Sequence, residues 1–205
     1  RYSRQILFAG IGEEGQARIL ASRVVQVGCG ALGTFQASLL VRAGVGTLRI
    51  VDRDFIEESN LQRQILHTTD RIGQQKAASG QKTLAAINPL VEVIARAQRV
   101  GEAELDDLVG AATIVLDCSD NFATRHAVNR ACVRHRRALV SGAAIRFDGQ
   151  LGVFDLSRSD SPCYACLFPP GDGQDEHRGD LLELPGGVGR GQARCRRAVP
   201  LLRQA

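Results

Sequence analysis

The chain has 205 residues, 44% of them hydrophobic, which is enough for one compact core and makes a single domain the starting expectation. Its formal charge is only +4, and basic residues are dispersed until roughly the last thirty positions, so neither a nucleic-acid stripe nor a nucleic-acid partner is predicted. No run of about eighteen apolar residues and no charged-then-apolar leader occurs, so the expectation is a cytoplasmic protein with no membrane span or signal peptide.

In chain order, an amphipathic opening leads to a short apolar run at 24–27 that ends on Gly28. Helical spacing follows over 31–43, with Gly44 as a stop signal. A β-branched run at 47–51 ends on Asp52, and 74–87 reads as a helix closed by Asn88 and Pro89. The alternation continues with a strand at 91–95, a helix at 103–109, a strand at 113–116, a helix at 123–135 and a strand at 138–141. Such alternation predicts an α/β fold, Rossmann-like and doubly wound, with a mostly parallel sheet covered on both faces. Residues 143–156 then read as two alternating strands turning around Asp148 and Gly149, a C-terminal antiparallel hairpin extension. Residues 171–205 mix Gly, Arg, Asp and Pro without a helical period, so the expected division is a nucleotide-binding domain over 1–170 and an atypical, poorly folded or truncated tail. The chain contains no methionine and starts at Arg1, which predicts that the natural N-terminus lies outside it.

Residues 27–33 read VGCGALG, a GxGxxG set between a predicted strand and a predicted helix. Gly28 would make the tight turn, Gly30 would let backbone approach a phosphate, and Gly33 would let the helix pack on the sheet. Phosphates would meet the free amides and positive dipole of the helix that follows. Asp52, roughly twenty residues further on at the end of the next strand, stands where a carboxylate can hold ribose hydroxyls. The bland alternative is a plain helix-packing turn.

A dehydrogenase has no need of charge after that acid, yet this stretch is loaded: Asp52-Arg53-Asp54, then Ser59-Asn60-Leu61-Gln62-Arg63-Gln64, then Lys76, and later Asp117-Cys118-Ser119-Asp120-Asn121. Carboxyl ends of parallel strands face one crevice, where these groups can converge. Cations such as Arg63 and Lys76 could offset phosphate charge while Asp120 holds magnesium, which suits phosphoryl or nucleotidyl chemistry. Taken singly, Arg63 and Lys76 also fit solvated helix charges, and Asp120 fits a helix cap.

Together, RYSRQ at 1–5, VGCGALG at 27–33, AGVGTLRIVDRD at 43–54, SNLQRQ at 59–64, GQQK ending at Lys76, DCSDN at 117–121, SGAAIR at 141–146 and CYAC at 163–166 resemble the MoeB/ThiF/HesA adenylyltransferase family of the ubiquitin-activating-enzyme-like superfamily. The resemblance covers residues 1–169. It implies ATP-dependent adenylation of the C-terminal Gly-Gly carboxylate of a ubiquitin-fold sulfur-carrier protein of the molybdopterin-synthase or thiamine type, giving acyl-AMP and pyrophosphate. By matching motif positions, Asp52 would bind the ribose, Ala31 and the glycines around it would lie against the nucleotide, and Ser59 and Asp54 would flank it. Asn60, Arg63 and Lys76 would contact the phosphates, and Asp120 would bind magnesium with Asn121 beside it. Arg4, from the RYSRQ opening, would reach the active site of the neighbouring subunit, so a homodimer is implied.

Cys163 and Cys166 have the two-residue spacing of half a tetrahedral zinc site. The resemblance implies zinc, which the family completes with a second pair near the C-terminus. This chain has no second CxxC; Cys195 could supply at most a third ligand, and 172–180 contains none of the cysteines that many relatives place in a crossover loop. Cys29, Cys118 and Cys132 are expected to be buried structural thiols, and His67, His126, His135 and His177 to be surface or capping residues. A catalytically inactive truncated relative, a tRNA-modifying dehydratase of the same superfamily and a dinucleotide-dependent oxidoreductase stay open as alternatives.

Overall fold

The computed structural model describes residues 1–145 and 147–170; the tail at 171–205, with Cys195 and His177, and Arg146 lie outside the described residues. Five parallel strands and one antiparallel strand form a single sheet of order β3-β2-β1-β4-β5-β6, with β1 at Arg23–Val27, β2 at Thr47–Val51, β3 at Glu92–Arg96, β4 at Ile114–Asp117, β5 at Ala138–Ile145 and β6 at Asp148–Phe154. Two small helices open the chain, α1 at Ser3–Ile6 and α2 at Gly12–Ala21. The others are α3 at Ala31–Ala43, α4 at Lys76–Ile87, α5 at Glu102–Gly110, α6 at Phe122–His135 and α7 at Tyr164–Leu167.

Strand side chains alternate between two cores. Val24, Leu48, Ile50 and Leu116 pack with Ala37 and Val41 of α3 and Leu84 of α4, while Val25, Val27, Val115 and Leu139 pack with Val109 of α5 and Val128 and Cys132 of α6. Both sheet faces are therefore apolar, which is why the strands read as continuous hydrophobic runs. Strand order reverses direction between β1 and β4, and their carboxyl ends open the crevice where an α/β sheet takes its ligand. Among the described residues no helix is long and apolar enough to cross a membrane.

Local chemistry sets the helix ends. Gly44 adopts φ +87° at the end of α3 and donates to the carbonyls of Leu40 and Val41, the left-handed cap that glycine permits. Asn121 caps α6, its side-chain oxygen accepting from the Thr124 amide at 2.9 Å. The expected start of the fourth helix at 74 is corrected to Lys76. Gln75 is held extended in a bridge to Phe55, and the Ile56 amide bonds the Gln74 carbonyl, so the chain at 74–75 is spent on pairing with 54–56 before it can coil.

The hairpin is real but differently partitioned. The strand expected at 138–141 and the first hairpin strand are one strand, β5, because Gly142, Ala143 and Ala144 continue the pairing with Leu151, Gln150 and Gly149. Ile145 pairs directly with Asp148, so the chain reverses ahead of Asp148 rather than around Asp148 and Gly149.

At Gly33, an added Cβ would fall on the carbonyl oxygen of Gly28 and 2.9 Å from Nε2 of Gln26, so α3 meets β1 with no room for a side chain. Gly33→Ala is expected to cost at least about 2 kcal/mol in urea unfolding. Gly149→Ala, whose Cβ would meet nothing within 4 Å, is expected to stay within about 0.5 kcal/mol of the parent.

Candidate active site

The Gly-rich turn assigns its three glycines three different tasks. Gly28 has φ +98°, and a Cβ there would sit 2.6 Å from the Cys118 carbonyl oxygen, so the turn after β1 is wedged against the turn after β4. Gly33 brings α3 onto the strand. Gly30 is the open one: a Cβ would meet only Nε2 of Gln64, at 3.9 Å, leaving backbone exposed to whatever fills the crevice. No side chain caps α3 at Gly30, so the first amides of the helix, from Ala31 onward, lack an intrachain cap and are placed for an anion.

Gln26, buried on β1, locks this geometry by donating Nε2 to the carbonyls of Gly28 at 2.9 Å and Gly33 at 3.1 Å. Its role was not visible in the sequence, where it reads as one polar residue in a strand.

Asp52 closes the turn from the side of β2. One carboxylate oxygen accepts from the Cys29 amide at 2.6 Å and the other from the Asp54 amide at 2.8 Å. Burial raises its pKa, and those two amides work against the rise. An ionised carboxylate offers about four acceptor sites, so about two remain for ribose hydroxyls. Asp54 then takes the Lys76 ammonium at 3.3 Å, and the Lys76 amide bonds the Asp54 carbonyl at 2.8 Å. Lys76 is thus fixed at the first position of α4, its side chain 10% exposed against 56% for Asp54, with an orientation set by its backbone.

The segment between β2 and α4 carries the remaining predicted phosphate contacts. Asn60 is buried in a short 3-10 turn at Glu58–Asn60, where Oδ1 accepts from the Glu57 amide at 3.2 Å while Nδ2 makes no hydrogen bond among the described residues. Ser59 is exposed, its hydroxyl 3.4 Å from a Glu57 oxygen. Arg63 is exposed and folds onto its own loop, with Nη1 donating to the Ser59 carbonyl at 2.8 Å. Gln64 is buried with Oε1 unpartnered, beside Gly30, a placement the motif alone did not indicate.

Across the crevice, Asp120 is exposed and its Oδ1 accepts only weakly, from Asn121 Nδ2 at 3.4 Å. Since Asn121 is the residue that caps α6, the Asp120 carboxylate faces solvent at the switch point. Its loop is held from beneath by a buried network that sequence reasoning missed. Arg125 donates to the carbonyls of Ser119 and, at 3.1 Å, Gly142, and to Oγ of Ser141 at 3.2 Å; Asp117 lies 3.5 Å from Arg125 and accepts from Ser141 at 2.9 Å. The available signal was an arginine on the helix face that also carries Val128, Ala131 and Cys132.

Arg4 is not brought to this cluster within the chain. Gln5 donates to the Ala43 carbonyl and Tyr2 packs at Gly44, tying α1 to the far end of α3. A helix of 13 residues places that end about 20 Å from Gly30.

Cys163 and Cys166 are buried with their Sγ atoms 3.5 Å apart, near the roughly 3.8 Å expected of two thiolates on one tetrahedral zinc. Among the described residues no group of three metal-binding side chains forms. Burial pushes the thiols of Cys29, Cys118 and Cys132 up to about 12, so none is a thiolate near neutrality. The expectation that His67 lies at the surface is corrected: it is buried, its Nδ1 3.2 Å from Oγ of Ser79 on α4.

Removing Arg125 would leave Asp117 buried without its cation. Arg125→Ala is expected to lose about 3–5 kcal/mol in urea unfolding, whereas Arg63→Ala, on an exposed side chain, is expected to leave stability within about 0.5 kcal/mol.

The pattern of the ThiF family matches residues 2–182. The adenylyltransferase and sulfurtransferase MOCS3 of Mus musculus is 46% identical over 169 residues, covering 82% of this chain and 36% of that protein. The sulfur carrier protein ThiS adenylyltransferase of Escherichia coli is 44% identical over 178 residues, covering 87% of this chain and 70% of that one. Among solved structures, E. coli MccB with ATP superposes with a TM-score of 0.68 at 27% identity, over 74% of this chain and 45% of MccB. The chain thus spans about a third of MOCS3 and under half of MccB, and over that shared length it belongs to the ThiF family.

Proposed function

We propose that this chain adenylates the C-terminal Gly-Gly carboxylate of a ubiquitin-fold sulfur carrier at the expense of ATP. The observation that carries the reading is the convergence of uncapped α3 amides, the Asp52 carboxylate, the Asp54-held Lys76 and the exposed Asp120 at the β1/β4 switch point. Relatives 43–46% identical, named as an adenylyltransferase and sulfurtransferase, as a sulfur carrier protein ThiS adenylyltransferase and as a SAMP-activating enzyme E1, support the same reaction.

Each group has a task in that chemistry. Asp52 holds the ribose, and the amides at Gly30 and Ala31 receive phosphate oxygens. Lys76, Asn60 Nδ2 and an Arg63 swung off the Ser59 carbonyl offset charge on the leaving pyrophosphate. The carrier carboxylate bonds the α-phosphorus as the bond to pyrophosphate breaks, so no protein nucleophile is needed, in keeping with the protonated thiols around the turn.

A magnesium ion suits Asp120: such ions use one or two carboxylates together with phosphates and retain water, and this carboxylate is exposed with one weak partner. When bound, the ion would neutralise charge on the phosphates. Zinc is fitted only by half, through Cys163 and Cys166, the other donors having to come from outside the described residues. The setting we propose is cytoplasmic, where such thiols stay reduced.

Arg4 enters through a second copy. Phe35 and Leu39 on α3 are 51% and 66% exposed, and Leu151 and Val153 on β6 are 71% and 69% exposed. Because Gly142 faces Leu32 and Gln36 of α3 and pairs with Leu151, these side chains share one side of the sheet. An uncovered apolar surface of this kind suits a homodimer, and a dimer can deliver to one site an arginine from a helix tied to the far end of α3, about 20 Å from Gly30.

In ATP–pyrophosphate exchange with a carrier present, Lys76→Ala and Asp120→Ala should each lower the rate at least about 100-fold. Arg4→Ala and Asp120→Ala subunits, each inactive alone, should regain close to one active site per mixed dimer. Unchanged exchange in the Lys76 and Asp120 variants would remove the reading.

A further inference from the structure

The ladder between β4 and β5 ends at the pair Asp117 and Ser141, beyond which β4 leaves the sheet while β5 runs on beside β6 to Ile145. Asp120 lies in the departing segment, where no strand pairing holds the chain. Arg125 takes over at this point. From the first turn of α6 its buried guanidinium reaches back over the end of the ladder: Nη2 donates to the carbonyl of Ser119 and, at 3.1 Å, to that of Gly142, while Nη1 donates to Oγ of Ser141 at 3.2 Å. One planar group joins the departing chain to the strand it has just left.

Asp117, also buried, completes the arrangement. Its Oδ1 accepts from Ser119 twice, from the amide at 3.1 Å and from the hydroxyl at 2.6 Å, and its Oδ2 accepts from the Ser141 hydroxyl at 2.9 Å. Ser119 is therefore bonded through amide, hydroxyl and carbonyl alike. One residue earlier, the Cys118 amide donates to the Val27 carbonyl at 2.8 Å, and the Cys118 carbonyl is the group pressed against Gly28 of the Gly-rich turn. One residue later than Asp120, Asn121 is held by capping α6. Asp120, between them, has only the weak bond from Asn121 among the described residues. Its carboxylate is free to bind while the backbone on either side of it is fixed. A buried ion pair stabilises a fold little better than apolar packing of the same volume; what this one supplies is a set position for the residue above it.

We propose that Arg125, acting through Ser119 and Asp117, is a positioning residue for magnesium: it fixes the backbone at Asp120 so that the carboxylate holds its ion at a set distance from phosphates on the α3 amides. The proposal rests on the adenylation reading and on the place of Asp120 in it. Magnesium demands nearly ideal octahedral geometry and is held by only one or two protein carboxylates, so its binding depends on that carboxylate being placed to within about 0.5 Å. Arg125→Lys keeps a cation beside Asp117 but loses the rigid fork that spans two carbonyls and a hydroxyl.

The test is the affinity for ATP, measured by calorimetry once with magnesium and once with EDTA, so that the ratio of the two reports the contribution of the ion. Asp120→Ala, the reference, should abolish the gain from magnesium. Arg125→Lys should lose at least about tenfold of that gain and Ser119→Ala at least about threefold, although both retain Asp120, while Ser119→Thr, which keeps the hydroxyl, should stay within about twofold of the parent. In EDTA the variants at 119 and 125 should bind within about threefold of the parent, the sign of an intact nucleotide site. The proposal is overturned if Arg125→Lys and Ser119→Ala keep the parental ratio, if they weaken binding equally with and without magnesium, or if Ser119→Thr falls as far as Ser119→Ala. Should Arg125→Lys fail to fold, the two Ser119 variants decide the matter by themselves. A parent that binds ATP equally well with and without magnesium overturns this proposal alone; a parent that binds no ATP overturns the adenylation reading with it.

Discussion

The contact between α3 and β1 at Gly28 and Gly33 is the constraint on which the site depends. With a carbonyl oxygen where a side chain would otherwise stand, and Gln26 fastening both carbonyls, the helix can begin only at Gly30 and only with its amides turned to the crevice. Its position then fixes two further things. Asp52 is drawn in by the Cys29 amide, and the Cys118 turn is pressed against Gly28, which places Asp120 across the opening. The uncapped end of the helix and the acid opposite it are consequences of one close approach.

The same tightness explains how charge is distributed. Groups that shape the crevice are buried and paired, as with Arg125, Asp117 and Ser141. Groups with chemistry left to perform stay partly open: Asp120 bears one weak bond, Arg63 rests on a carbonyl of its own loop, and Lys76 leans on a half-exposed aspartate. Only the Asp54 end of that last pair is open to water, which leaves the buried lysine free to exchange it for the phosphate contact we propose. At the other end of α3, the chain's first helix is tied far from all of this, and the role we propose for its arginine requires a second subunit.

Much of this was legible in the sequence because it follows from local rules. Strand and helix alternation gave the layer order, the three glycines were read with their separate tasks, and Asp52 was placed by its distance from the turn. Helix starts were less legible: nothing near 74 reveals that Gln75 pairs with Phe55, since that bridge spans twenty residues of loop. The hairpin was misdivided because small residues at 142–144 resemble a break, although the register with β6 carries the strand through them. Buried polar residues were the least legible. Gln26, Gln64, His67 and Arg125 each owe their burial to partners from other elements, and a one-dimensional pattern treats such residues as surface. The fate of the Cys163–Cys166 pair depends likewise on donors outside the described residues.

The measurement that bears most directly on the central claim is the intact mass of a small ubiquitin-fold carrier after incubation with this protein, magnesium and ATP, with pyrophosphate removed. An AMP adduct on a carrier ending in Gly-Gly, and none on the same carrier lacking that tail, is the result this account predicts. A protein that binds ATP yet leaves every Gly-Gly carrier unmodified would contradict it and mark the chain as a relative that keeps the fold without the reaction.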